Sequence, residues 1–86
     1  MNFVYILRLN DDSLYTGWTN NLEKRMETHK AGKGSKVVRA KLPFELVHVE
    51  KYNTKEEAMK REYEIKHKLS KKEKEELVKK GLDKTE

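Results

Sequence analysis

Hydrophobic and polar positions along the chain fall into regular stretches separated by turn-forming residues. Phe3-Val4-Tyr5-Ile6-Leu7-Arg8-Leu9 is rich in β-branched and aromatic residues at consecutive positions, the pattern of a strand covered on both faces and central in its sheet. Asn10-Asp11-Asp12-Ser13 carries turn chemistry, and Leu14-Tyr15-Thr16-Gly17-Trp18-Thr19 returns as the second strand of a hairpin. Asn20 with Glu23 three positions later fits a helix N-cap and capping box, and Gly32 is placed to stop that helix, so a helix over about Asn21 to Ala31 is predicted. Gly32 to Pro43 holds two glycines, Lys33, Lys36, Arg39, Lys41 and the only proline. It reads mainly as a basic loop with room for a short helical turn. Phe44-Glu45-Leu46-Val47-His48-Val49-Glu50 is a third strand, and Thr54 with Glu57, then Ser70 with Glu73, announce two more helices, the last closed by Gly81. The order ββα, loop, βαα predicts an α+β fold: a three-stranded antiparallel sheet flanked by helices. One domain over residues 1–81 is expected, with a frayed tail at 82–86.

Composition sharpens this picture in two ways. With 86 residues and no cysteine, the chain can build one modest core and one compact site, without disulfides or thiolate metal sites. No apolar run is long enough to span a bilayer and no basic leader precedes Phe3, so neither membrane insertion nor export is expected, and a cytoplasmic location is. The net charge of +5 is unevenly spread: from Lys24 to Lys41, seven basic residues face only Glu27. That segment suits a phosphate backbone, and a solubilising surface loop would have the same composition. From Thr54 onward acids and bases alternate as on solvated helices.

Candidate chemistry sits on three elements. In the second long helix Ala58, Met59, Ile65 and Leu69 recur at helical spacing and mark the inward face, and Glu62 falls on it. A carboxylate there calls for a metal ion or a cationic neighbour; an ordinary pair with Lys66 four positions on is the plainer account. On the first helix Leu22 and Met26 mark the buried side, with Arg25 and His29 paired along its border. Arginine's planar fork fits phosphate oxygens, and imidazole can donate to a phosphate or take up a proton near neutral pH. In the hairpin, an odd-numbered turn or a bulge would set Tyr5, Tyr15 and Gly17 on one sheet face. A groove floored by glycine and flanked by hydroxyls could then admit a backbone; half-buried core tyrosines are the plainer alternative. His48 and His67 lack a second ligand at useful spacing, the Gly32-Lys33-Gly34-Ser35 run lacks P-loop spacing, and Trp18, Tyr52 and Tyr63 read as packing residues.

Taken together, these residues resemble the GIY-YIG nuclease superfamily, in particular its compact single-domain bacterial-type members, from Phe3 to about Leu77. Phe3-Val4-Tyr5 stands at the first triplet and Tyr15-Thr16-Gly17 at the second, with Phe3 replacing a glycine and Thr16 an isoleucine. Arg25 resembles the catalytic arginine, His29 its polar partner, and Glu62 the metal-binding glutamate. Gly32 through Arg39 resembles the basic loop. The resemblance implies an endonuclease that cuts DNA, in repair or recombination structures, with one Mg²⁺ or Mn²⁺ ion at Glu62. It further implies water activated by Tyr5 with help from His29, Tyr15 orienting water or phosphate, and substrate positioned by Gly17, Lys33, Lys36 and Arg39. A protein partner supplying specificity fits the same picture. So does a noncatalytic module, binding nucleic acid or a partner protein on the same fold.

Overall fold

The computed structural model describes residues 1–83, with side chains through residue 80. Its elements are β1 (Asn2–Arg8), β2 (Leu14–Thr19), α1 (Leu22–Lys30), α2 (Lys36–Ala40), β3 (Glu45–Tyr52), α3 (Lys55–Lys68) and α4 (Lys71–Asp83). The sheet is antiparallel in the order β2-β1-β3, so the fully apolar strand is central, as its composition predicts. Its alternating side chains feed two cores. Val4 and Ile6 pack with Ala58, Ile65 and Val78 under α3 and α4. Tyr5, Leu7 and Leu9 pack with Val38, Leu22 and Met26 under α1 and α2.

The turn of the hairpin decides which residues share a face. Asp12 N–H donates to the Leu9 carbonyl and Leu9 N–H to the Ser13 carbonyl, both at 2.9 Å. Asp12 takes φ 73°, the left-handed conformation that closes a three-residue hairpin loop and that Asp tolerates better than most residues. The resulting register sets Tyr5 opposite Gly17 and Leu7 opposite Tyr15. Directly opposed residues point to the same side, so Tyr5, Tyr15 and Gly17 do share one face.

Capping follows side-chain chemistry with some shifts from expectation. Asn21, not Asn20, caps α1: its side-chain oxygen accepts from Lys24 N–H at 3.1 Å, and Glu23 forms no capping box. The Thr19 hydroxyl accepts the Asn21 N–H at 3.1 Å, which makes Asn20 the connecting residue. Gly32, at φ 76°, ends the helix as expected. Its N–H donates to His29 and that of Lys33 to Thr28, the paired bonds of a Schellman end. The basic segment contains the five-residue helix α2, capped by Ser35 and anchored by buried Val38. Thr54–Glu57 and Ser70–Glu73 form reciprocal caps as expected. α4, however, runs through Gly81 to Asp83; a helical glycine costs about 1 kcal/mol but does not compel a stop. Of the expected 82–86 tail, residues 84–86 lie outside the described residues.

One polar network ties β3 to α3. Glu50 accepts hydrogen bonds from His48 Nε2 at 2.8 Å, Tyr52 Oη at 2.5 Å and Arg61 Nε at 2.9 Å. Burial alone would raise its carboxyl, but the bonds from His48, Arg61 and Tyr52 prevail and hold it at about 2, against an ordinary 4.5. A depressed carboxyl stabilises the fold above its unfolded value and loses that contribution as pH falls towards the folded one. Urea unfolding is therefore expected to lose about 2–3 kcal/mol between pH 5 and 2 through this group. Glu50→Gln should flatten that part of the profile; an unchanged slope would show that the network does not govern acid stability.

Candidate active site

Five of the predicted residues converge on one cavity of about 370 Å³, lined by Tyr5, Tyr15, Gly17, Trp18, Thr19, Asn20, Arg25 and Glu62. The hairpin register supplies the two tyrosines and the glycine, and α1 brings Arg25 over them. Glu62 arrives by a different route. Its helix α3 packs against the opposite sheet face through Ala58 and Ile65, yet β2 is an edge strand, and Glu62 reaches round that edge into the cavity. It is held there at the border of the helix's inward face, 21% exposed, with Lys66 Nζ 3.3 Å from its Oε2. Both sequence accounts of Glu62 thus hold together: it faces the site and pairs with Lys66.

The floor of the cavity is tightly built. Tyr5 is fully buried and its hydroxyl lies 2.9 Å from His29 Nε2. Gly17 is required opposite it: a Cβ there would stand 2.5 Å from Tyr5 Oη and 2.7 Å from Cζ. Burial pushes the Tyr5 phenol up to about 12; the neighbouring Arg25 guanidinium opposes this, while Tyr15 and Glu62 reinforce it. His29 is 1% exposed, ringed edge-on by Tyr5, Tyr15 and Phe44 at centroid distances of 5.8, 5.7 and 6.0 Å. Burial, with the Arg25 charge second, moves its protonation below the ordinary 6.5. Its Nδ1 is buried without a hydrogen-bond partner and faces Gly34, where a Cβ would approach to 2.6 Å.

Two expectations, for His29 and for Met59 and Tyr63, need correction. His29 is not at an accessible helix border, because the α1 face that carries Leu22 and Met26 is broad enough to take the imidazole inside; it touches the Tyr5 hydroxyl and does not line the cavity. Lys33, Lys36 and Arg39 line a separate hollow of about 400 Å³ with Gly32, Gly34 and Ser35. Gly34 of the same loop lies behind the His29 ring. Met59 was placed on the inward face by spacing and Tyr63 among the packing residues by type, but they are 45% and 58% exposed, on the outer flank of Glu62. Sequence reasoning missed Thr19 and Asn20 as lining residues, read Trp18 as packing only, and named Lys66 only as a partner of Glu62. The cluster of short polar side chains where β2 gives way to α1 was the available signal for the first two.

Among the described residues Glu62 is the only acidic one lining the cavity, and no three His, Cys, Asp or Glu gather as a metal cage. A hard carboxylate opening onto a polar cavity with phenol oxygens nearby does fit Mg²⁺ or Mn²⁺. Such ions keep much of their water and accept one or two carboxylates plus substrate phosphate. With this donor set an ion would be held weakly until a substrate phosphate joined it.

Comparison with known proteins bears on the family and the fold. The family model described as the GIY-YIG catalytic domain matches residues 1–76. A UPF0213 protein of Oceanobacillus iheyensis is 55% identical over 65 residues, covering 76% of each chain. One from Clostridium perfringens is 53% identical over 78 residues, covering 91% of this chain and 83% of its own. The solution NMR structure of a UPF0213 protein of Bacillus halodurans superposes with a TM-score of 0.62 at 49% identity, over 94% of this chain and 87% of that one.

Proposed function

Because the chain belongs to the GIY-YIG catalytic-domain family, we propose that it is a divalent-metal-dependent endonuclease that hydrolyses DNA phosphodiester bonds, with repair and recombination structures as its substrates. One observation carries the reading: Tyr5, Tyr15, Arg25 and Glu62, from four separate elements, line a single cavity. A surface made only for binding phosphates has no use for a carboxylate in its midst, since it repels the ligand. Glu62 would hold a divalent metal ion, which would supply positive charge for the leaving oxygen.

The remaining chemistry falls to the chain's own side chains. Arg25 is placed to donate to the phosphoryl oxygens as charge builds on them. Tyr15 borders the same space and orients water or phosphate. With its phenol pushed up to about 12, Tyr5 is a poor base if it must first become phenolate. A relay avoids that state: Tyr5 Oη takes a proton from the attacking water as its own proton passes to His29 Nε2, 2.9 Å away. His29 must then be neutral with its proton on Nδ1, and burial keeps it neutral near pH 7.

The relay has its own pH signature. Cleavage is expected to rise as His29 loses its proton somewhere below pH 6.5, then stay level through pH 9. A phenolate base would instead give a rise of about tenfold per pH unit across the same range, and that result would exclude the relay. The function itself is tested by nicking assays on supercoiled, branched and single-stranded DNA and on RNA, with Mg²⁺ or Mn²⁺. Strand breaks ending in 5′-phosphate and abolished by chelator are expected. Binding without cleavage on every substrate would leave a nucleic-acid-binding module in place of an enzyme.

A further inference from the structure

Among the described residues Met1, Val37, Leu46, Val49, Met59 and Tyr63 are large hydrophobic side chains left in water, and of these Met59 and Tyr63, 45% and 58% exposed, share the helix that carries Glu62. They are one turn apart and therefore neighbours on one face of α3. Glu62 lies at the seam between this outer strip and the inward face of Ala58 and Ile65. The Tyr63 ring leans on His67 a further turn along, with centroids 4.4 Å apart and planes at 38°. Cations border the strip. Lys66 Nζ sits 3.3 Å from Glu62 Oε2 and 5.9 Å from the Tyr15 ring centroid, and Lys55 Nζ lies 5.7 Å from that of Trp18. Tyr15, Trp18 and Glu62 all line the active-site cavity, so the strip continues directly out of it.

We propose that Met59, Tyr63 and His67 form a ledge on which one unpaired nucleobase stacks beside the scissile phosphate. This rests on the nuclease reading, which places a phosphate next to Glu62. A protein partner fits the strip poorly, because stable interfaces need about 800 Å² on each side, and two apolar side chains between lysines offer far less. A nucleotide matches it in size and charge: an aromatic face accepts any base, and Lys55 and Lys66 meet the neighbouring phosphates. A base in a duplex must leave its stack to reach the ledge. Selection therefore favours strands whose bases are already unpaired at the cut.

The test measures stacking without turnover. Glu62→Gln protein is titrated by anisotropy with a short single-stranded DNA, and with the same strand carrying 2-aminopurine in place of adenine. Adding Tyr63→Ala should weaken binding about five- to a hundredfold, while Tyr63→Phe and Tyr63→Trp hold it. The 2-aminopurine emission should be quenched on binding by the parent and restored by Tyr63→Ala. An abasic strand should bind the parent and Tyr63→Ala alike. Equal affinity of these two proteins for the base-bearing strand would overturn the ledge, as would an equal loss on the abasic strand or a probe that stays bright when bound. Stacking in a protein whose wild type fails to cut would sink hydrolysis and leave the ledge; cleavage unaffected by Tyr63 would do the reverse.

Discussion

Glu62→Gln is expected to slow phosphodiester cleavage by about a thousandfold or more while leaving the fold and metal-free DNA binding in place. Glutamine keeps the shape of the side chain and a carbonyl oxygen for the cavity but removes the charge that would hold a hard cation. The ion is the only proposed source of positive charge for the leaving oxygen, and several kcal/mol of transition-state stabilisation go with it. Stability should barely change, because the pair with Lys66 is an i,i+4 contact at a partly exposed site, worth a few tenths of a kcal/mol. Binding without metal should hold or tighten slightly, since a negative charge facing phosphate is gone. The decisive comparison is rate against affinity in one preparation. Cleavage within tenfold of the parent would remove Glu62 from the chemistry and with it the metal assignment.

That this carboxylate could be singled out from the chain alone, while the enclosure of His29 could not, reflects what periodicity can carry. Strand and helix periods decide which residues share a face, and that was enough for Tyr5, Tyr15 and Gly17, whose register follows from a three-residue turn. Periodicity also set Glu62 on the apolar face of its helix, of which the structure makes it the border. It could not show that α3 packs on the far side of the sheet and sends Glu62 round the β2 edge, because strand order is not written in any local pattern. The same blindness turned Met59 inward. Met59 and Ala58 are adjacent in sequence and about 100° apart around the helix, so only the position of the sheet tells which of them is covered. His29 shows a third limit. A histidine at a helix border and one enclosed by Tyr5, Tyr15 and Phe44 look alike until the loop at Gly34 closes behind the ring.

The closeness of that packing predicts an outsized effect for the smallest substitution available. Gly17→Ala is expected to reduce cleavage by about a hundredfold or more and to cost about 1–3 kcal/mol of stability. The added methyl would stand 2.5 Å from Tyr5 Oη and 2.7 Å from Cζ, inside any allowed contact, so something must move. The Tyr5 ring has nowhere easy to go: it is fully buried and its hydroxyl is bonded to His29, itself enclosed by aromatic rings. A shift of the phenol by a fraction of an ångström upsets the relay geometry at both ends, towards the water and towards Nε2. Tyr5→Phe should lose a comparable amount of activity through loss of the oxygen alone. The double variant separates packing from chemistry, because phenylalanine removes the closest atom that the new methyl meets. Gly17→Ala should therefore destabilise the Tyr5→Phe background less than it does the parent, a positive coupling in thermal melts, while activity stays at the level of Tyr5→Phe. Equal destabilisation in both backgrounds, or near-normal cleavage by Gly17→Ala, would mean that the phenol at position 5 is neither clamped nor chemically engaged, and the acceptor of water's proton would have to be sought among the other groups facing Glu62.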